Sequence, residues 1–312
     1  MIEVSGLSRS FGARRAVDNV SFAVRDGGIT GFIGGNGAGK TTTMRMILGV
    51  LTPDAGQVLL DGRPVTRQVS RDFGYMPEER GLYPKMKVGE QIAYLATLHG
   101  LTAREANARA TALLTRLGLG QRLGDSVEKL SLGNQQRAQI AAALAGHPSV
   151  LVLDEPFSGL DPLAVDTVGE VLREEVNRGV PLIFSSHQLD LVERLCDHLV
   201  IIAGGQIKAT GSRDELLRAH AGRRWEIAGP PPDWLARQPG VHEVAAGAQG
   251  SAGAVRFGIA AESDSAAEAR AQAVLQAALA AGPVRLFAPW RPSLVEVFRE
   301  VIVDEAPRQE LS

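Results

Sequence analysis

A chain of 312 residues that is 45% hydrophobic and 22% charged has apolar material for one large or two modest cores, which excludes a long disordered polymer. A formal net charge of −2 gives no electrostatic reason to expect nucleic acid as the main partner. The single cysteine, Cys196, excludes an internal disulfide, and its apolar setting (Leu191, Val192, Leu195) predicts a core filler rather than a reactive thiol. The first residues, MIEVSGLSRSFG, carry no apolar signal core, and no apolar run approaches the roughly eighteen residues that span a bilayer. Any work at a membrane therefore calls for a second, membrane-embedded chain.

In chain order, residues 29–33 read as a brief buried strand, followed by a glycine-rich turn and a helix carrying Met44, Ile47 and Leu48. Short apolar strands alternating with helical segments predict an α/β domain. From about Val88 to Leu130 the character changes to helix. Thr102 and Glu105 form a capping box, Ala106, Ala110, Leu113, Leu114 and Leu117 share an apolar face, and Gly118 is the stop. This predicts a helical insertion over about residues 85–146. Strand character returns at 150–153, 182–185 and 199–203, and Gly204-Gly205 predicts a hairpin turn into 206–209. Composition shifts near residue 220, where Pro230, Pro231 and Pro232 predict a turn or rigid spacer. Beyond it, strands are expected at 241–244 and 254–259, and helices over 266–281 and 293–303. The expected division is a first domain over 1–220 and a small α+β domain over 221–312, the latter without a chemical constellation.

The chemistry concentrates in the first domain. Gly34-Gly35-Asn36-Gly37-Ala38-Gly39-Lys40-Thr41 is a complete phosphate-binding loop between a strand and a helix. Its glycines let backbone N–H groups curl around a phosphate, and the helix N-terminus adds partial positive charge. Lys40 is placed to bridge the β- and γ-phosphates, and the Thr41 hydroxyl to reach Mg²⁺. Downstream, Val150-Leu151-Val152-Leu153-Asp154-Glu155 is an apolar strand ending in two carboxylates. Asp154 then suits Mg²⁺ through water, and Glu155 suits a general base or water-positioner. Alone, such a strand end is also how a solvated loop begins; with the Lys40 loop it makes a nucleotide-hydrolysis site of the P-loop NTPase kind.

Between these elements, Leu130-Ser131-Leu132-Gly133-Asn134-Gln135-Gln136-Arg137 opens a helix. The segment resembles the signature motif of ATP-binding cassette proteins, commonly Leu-Ser-Gly-Gly-Gln, with Leu132 in place of a glycine and Asn134 in place of the glutamine. A serine N-cap beside a glycine offers a hydroxyl, backbone donors and a dipole end to an anion. The resemblance implies that Ser131, Gly133 and Asn134 contact ATP in trans across a dimer, together with Asp161 of Ser158-Gly159-Leu160-Asp161. Asp161 is also placed to cap a helix opened by Pro162, a purely structural alternative. Phe11 matches the aromatic that stacks on adenine, a core position being the alternative, and Thr42 completes the expected ATP contacts. His187, in Ser185-Ser186-His187, matches the switch histidine that contacts the γ-phosphate and joins Glu155 as a catalytic candidate. Glu78 stands where the family usually has a metal-contacting glutamine, so a carboxylate is expected at the Mg²⁺ site.

Pro77-Glu78-Glu79-Arg80-Gly81-Leu82-Tyr83 further resembles a bacterial subgroup of sodium-export and other exporter ATPase subunits, which also carry a C-terminal extension. The resemblance implies an α/β cassette with a helical insertion, working as a homodimer or with a second cassette ATPase. It further implies a separate multi-span permease at the cytoplasmic side of the cell membrane, driven by ATP-dependent dimerisation. A soluble cassette ATPase of translation or DNA repair is the rival. It is disfavoured by a single cassette, about ninety residues between Lys40 and Ser131, and one cysteine. A small-molecule P-loop kinase leaves Ser131, Asp161 and His187 unexplained together.

Overall fold

The computed structural model describes residues 1–79, 81–246 and 253–303. Arg80 of the Glu78 segment, and residues 247–252 and 304–312 of the expected second domain, lie outside them. Two compact units are present: Met1–Arg213 with the described residues from Phe298 on, and Asp214–Val297.

The first unit opens with β1 (Ile2–Phe11) and β2 (Arg14–Val24), followed by β3 (Ile29–Ile33) and α1 (Lys40–Ile47). Next come β4 (Ala55–Leu60), β5 (Arg63–Pro64) and β6 (Phe73–Met76). The insertion follows as α2 (Val88–Leu98), α3 (Ala103–Arg116) and α4 (Leu132–Leu144). The unit continues through β7 (Val150–Leu153), α5 (Pro162–Asn177), β8 (Leu182–Ser186), α6 (Leu189–Leu195), β9 (His198–Ala203) and β10 (Gln206–Ser212). Four strands form an antiparallel sheet in the order β2-β1-β4-β5. Six form a second sheet in the order β10-β9-β3-β8-β7-β6, parallel except for the β9–β10 hairpin.

The sequences of β3, β7 and β8 explain their place. Each is buried along its whole length, as strands covered on both faces are; β7 reads as a continuous apolar run, while β3 buries Thr30 and β8 buries Ser185 and Ser186 beside their apolar neighbours. The two sheets share one core. Phe22 of β2 meets Phe32 of β3 with ring centroids 5.4 Å apart, and Met44 and Ile47 of α1 pack into the same cluster. Burying a side chain such as Phe32 contributes about 2–3 kcal/mol.

The insertion is tied in at identifiable points. Thr102 and Glu105 form the reciprocal capping box at the start of α3. On the same helix, Arg109 donates to the Leu144 and Ala145 carbonyls at 2.7 and 3.3 Å, which satisfies the open C-terminal end of α4. Arg116 pairs with Glu174 of α5. The C-terminal end of α4 also lies close on β6: a Cβ at Gly74 would stand 2.3 Å from the Ala143 carbonyl oxygen, so only glycine fits there.

The second unit holds α7 (Arg213–Ala221) from Asp214 on, β11 (Arg224–Ala228), α8 (Pro232–Leu235), β12 (Val241–Ala246), β13 (Ala254–Ile259), α9 (Asp264–Ala281), β14 (Leu286–Pro289) and the first four residues of α10 (Leu294–Val303). Its antiparallel sheet runs β12-β13-β11-β14. Ala267, Ala271, Val274 and Ala278, spaced along one face of α9, share a core with Ile227, Phe257 and Ile259. The proline run does not act as a spacer: Pro231 caps α8 and Pro232 occupies its first turn, where a missing N–H costs nothing. The break between the units falls at Arg213/Asp214, ahead of the compositional shift near 220.

Candidate functional site

The carboxyl ends of β6, β7, β8 and β3 lie in register, with Met76 opposite Leu153, Leu153 opposite Phe184 and Ile33 opposite Ser186. Lys40 follows β3, Glu78 follows β6, Asp154 and Glu155 follow β7, and His187 follows β8, all at these carboxyl ends. From β3 the chain goes to the far edge at β6 and then crosses the sheet in one direction through β7, β8, β9 and β10, which leaves β3 between β8 and β9.

The glycine-rich loop runs from β3 into α1. Gly39, the N-cap, has φ 109°, and a Cβ there would lie 2.7 Å from the Ala16 carbonyl oxygen. Lys40 is only 8% exposed, and its Nζ donates to the Gly34 and Gly35 carbonyls at 2.7 and 3.2 Å. No acidic residue occupies the first turn of α1, so the positive end of the helix is not neutralised by its own side chains.

Facing it, Asp154 is 1% exposed. Its Oδ1 accepts from Ser185 Oγ at 2.5 Å, while its buried Oδ2 has no hydrogen-bond partner. Glu155 adopts a left-handed backbone, φ 51°. Its N–H donates to Ser185 Oγ at 2.9 Å, and its carbonyl accepts from Gln136 Nε2 at 2.8 Å. Its Oε2 stands 3.0 Å from His187 Nδ1. Burial pushes the Glu155 carboxyl above the ordinary range; the hydrogen bond and charge of His187 and the charge of Lys40 oppose this, and Asp154 adds to it.

One cleft of about 500 Å³ collects Phe11, Gly35, Asn36, Gly37, Gly39, Lys40, Thr41, Thr42, Glu78, Asp154 and Glu155. Gly34 and Ala38 stand behind its wall, Gly34 as an acceptor for Lys40 and Ala38 at 7% exposure. Phe11 is 50% exposed at the cleft, which removes the core alternative, and the Arg9 guanidinium lies 5.2 Å from its ring centroid. A second cleft of about 570 Å³ shares Asn36, Glu78 and Glu155 and adds Leu132, Gln136, Ser158, Gly159 and His187.

The remaining expected residues lie at helix starts outside the first cleft. Ser131 caps α4, its Oγ accepting from the Asn134 N–H at 3.4 Å, and Asn134 Oδ1 accepts from Arg137. Asp161 caps α5, its Oδ1 accepting from the Ala164 N–H at 2.9 Å. A Cβ at Gly133 would be 3.3 Å from the Gly159 carbonyl oxygen, so the signature turn sits against the Ser158–Asp161 loop.

Arg14, Ala16, Gln136 and Ser185 belong to the site without having been singled out. Arg14 Nη2 donates to the Gly37 carbonyl at 3.3 Å, a contact with no sequence signal. Gln136 and Ser185 lay within motifs already noted, but only the fold brings them to Asp154 and Glu155.

The donor set fits Mg²⁺. That ion takes one or two protein oxygens and completes its shell with phosphates and water, and Asp154 Oδ2 is a buried, unpartnered oxygen in the cleft that also holds the Thr41 hydroxyl. Among the described residues no cluster of three or more His, Cys, Asp or Glu forms a self-sufficient metal cage, and no helix is long and apolar enough to cross a membrane.

Known proteins resemble this chain in sequence and fold. Residues 17–158 match the ABC transporter family profile, and residues 211–302 match that of the ATP-binding protein DrrA1-3-like C-terminal domain. The uncharacterized ABC transporter ATP-binding protein YhaQ of Bacillus subtilis is 43% identical over 219 residues, 70% of this chain and 74% of that protein. Nod factor export ATP-binding protein I of Paraburkholderia xenovorans is 37% identical over 235 residues, 74% of this chain and 77% of that protein. A solved ATP-binding subunit of an ABC transporter superposes with a TM-score of 0.65 at 34% identity, covering 70% of this chain and 93% of that one. The strand-end carboxylates, the Lys40 loop and these relatives agree: the chain belongs to the ATP-binding, ATP-hydrolysing subunits of ABC transporters.

Proposed function

We propose that this subunit powers export through a separate multi-span permease at the cytoplasmic side of the cell membrane, by closing with a second cassette around two ATP molecules. The observation that carries the reading is the grouping at one sheet edge of Lys40, the unpartnered Asp154 oxygen and the Glu155–His187 pair.

Phe11 stacks on adenine, the backbone of Gly34–Thr42 cradles the phosphates, and Lys40 exchanges its carbonyl acceptors for phosphate oxygens. Thr41 and Asp154 would hold Mg²⁺, with Glu78 lining the same cleft, and when bound the ion would neutralise charge on the phosphates. Glu155, fixed at both its N–H and its carbonyl, orients the attacking water and accepts its proton, and His187 contacts the γ-phosphate. Ser131, Gly133, Asn134 and Asp161 of one cassette complete the site of the other, which accounts for their lying on helix starts outside their own chain's first cleft. Binding closes the pair, hydrolysis reopens it, and the permease follows. The exporter named among the relatives supports the direction of transport. The second unit, 214–297, is an accessory domain of the kind that exporter subunits carry.

Purification of the chain from detergent-solubilised native membranes is expected to bring down a multi-span membrane protein in stoichiometric amount. Recovery only from soluble fractions, with ribosomes or nucleic acid, overturns the reading.

A further inference from the structure

We infer that Gln136 is a positioning residue for hydrolysis: from α4 its amide fixes the main chain of Glu155, so that the helix bearing Ser131 also sets where the Glu155 carboxylate stands. The inference rests on the role proposed above for Glu155.

Gln136 is 8% exposed, and its Nε2 spends a hydrogen on the Glu155 carbonyl at 2.8 Å. A buried amide needs such a partner, but it need not have found this one. Glu155 has a left-handed backbone that L-residues rarely adopt, so something must hold it. Two side chains do so, beside the local turn in which the Ser158 N–H donates to the Glu155 carbonyl at 3.2 Å. Ser185 takes its N–H and belongs to β8, hydrogen-bonded directly to β7. Gln136 takes its carbonyl and belongs to the helical insertion. Of these two tethers, only Gln136 links the carboxylate to an element outside the sheet.

The same face of α4 makes a parallel contact one turn on. Gln139, 4% exposed, donates through Nε2 to the Glu79 carbonyl at 3.2 Å, next to Glu78. Positions three apart on a helix are neighbours, so one helix face reaches two of the loops that line the cleft, those of Glu78 and Glu155. Ser131 lies five positions before Gln136, about 7.5 Å along the axis. A shift of the Ser131 end therefore reaches the Glu155 main chain through a single side chain.

The test uses the full chain carrying Gln136→Met, which keeps the length and removes the donor. Steady-state ATPase, ATP binding, ATP-dependent dimerisation and the nucleotide-free melting temperature are measured together. The expected result is a kcat lower by about tenfold or more, as for a lost hydrogen bond at a reacting group. KM is expected to stay within about twofold, with the ATP-bound dimer accumulating, a split that a merely structural contact does not produce. Gln136→Glu, nearly the same shape but unable to donate, is the second variant and is expected to give the same split. An unchanged kcat in both variants overturns the inference. So does a joint decline of kcat, ATP binding and melting temperature without a trapped dimer. Glu155→Gln is assayed alongside: a wild-type rate there overturns the assignment of Glu155 itself, whereas a wild-type rate confined to the Gln136 variants overturns only the positioning role.

Discussion

His187 Nδ1 and Glu155 Oε2 stand 3.0 Å apart, and the two partners differ sharply in exposure: 57% for the imidazole, 12% for the carboxylate. The carboxylate is thus the fixed member and the histidine the one free to reorient toward a phosphate. Glu155→Gln is expected to bind ATP, lose about 10²-fold or more in kcat and accumulate a closed dimer. His187→Ala is expected to lose activity while leaving ATP affinity within a few-fold. Size-exclusion chromatography with and without ATP, beside an ATPase assay, checks both.

The environment of Glu155 also sets a pH dependence. Burial raises its carboxyl, with Asp154 in the same direction and His187 and Lys40 against it. In the role proposed for it Glu155 must be ionised, so activity is expected to fall on acidification at a pH above the ordinary glutamate range. The stability sign is the reverse. A folded-state value above the unfolded one means that stability is fully present below the unfolded value and is lost as pH rises through the folded value. Glu155→Gln, always neutral, is therefore expected to melt higher than wild type at neutral pH and to lose that advantage in acid. A melting series across pH reads it directly.

Ser185→Ala removes one hydroxyl that serves two backbone-distant groups, Asp154 Oδ1 and the Glu155 N–H. Leaving buried polar groups without partners costs about 1–3 kcal/mol. A urea titration is expected to show that loss together with reduced ATPase activity.

Cys196 is buried against Gly31, where an added Cβ would stand 2.7 Å from its Sγ. Burial holds its thiol well above the usual range, with Asp197 adding to the effect. It is expected to resist iodoacetamide even at mildly alkaline pH and to react once the first unit unfolds. Mass spectrometry across a denaturant series makes it a probe of that transition. Gly31→Ala is expected to lower the midpoint by forcing this contact apart.

What could be read in the sequence follows from the kind of burial each element experiences. β3, β7 and β8 are buried along their whole length, β7 as an unbroken apolar run, so the residues after them stand out. β1 and β2 left no such trace. Their register shifts near Gly6, φ 61°, and Asn19, φ 50°, which breaks the alternation that marks a half-buried strand. β6 is only four residues long and contains Gly74, kept for the close approach of α4 rather than for strand propensity. The motif residues were legible because each sits at the end of a recognisable element. Gln136 and Ser185 were not, since they reach Glu155 across 19 and 30 residues of chain, and no local pattern encodes a contact that only the fold creates.

Arg109 grips the last carbonyls of α4, and that grip has a mechanical consequence. A helix of 13 residues is about 20 Å long, and with its far end clamped to α3 it cannot absorb motion by fraying. Each degree of tilt about the clamp then displaces Ser131 by about a third of an ångström. The displacement shrinks in proportion along the axis, so Gln136 travels less than Ser131. α4 is thus geared as a lever: a sizeable travel at the Ser131 tip becomes a smaller, better-controlled adjustment beside Glu155.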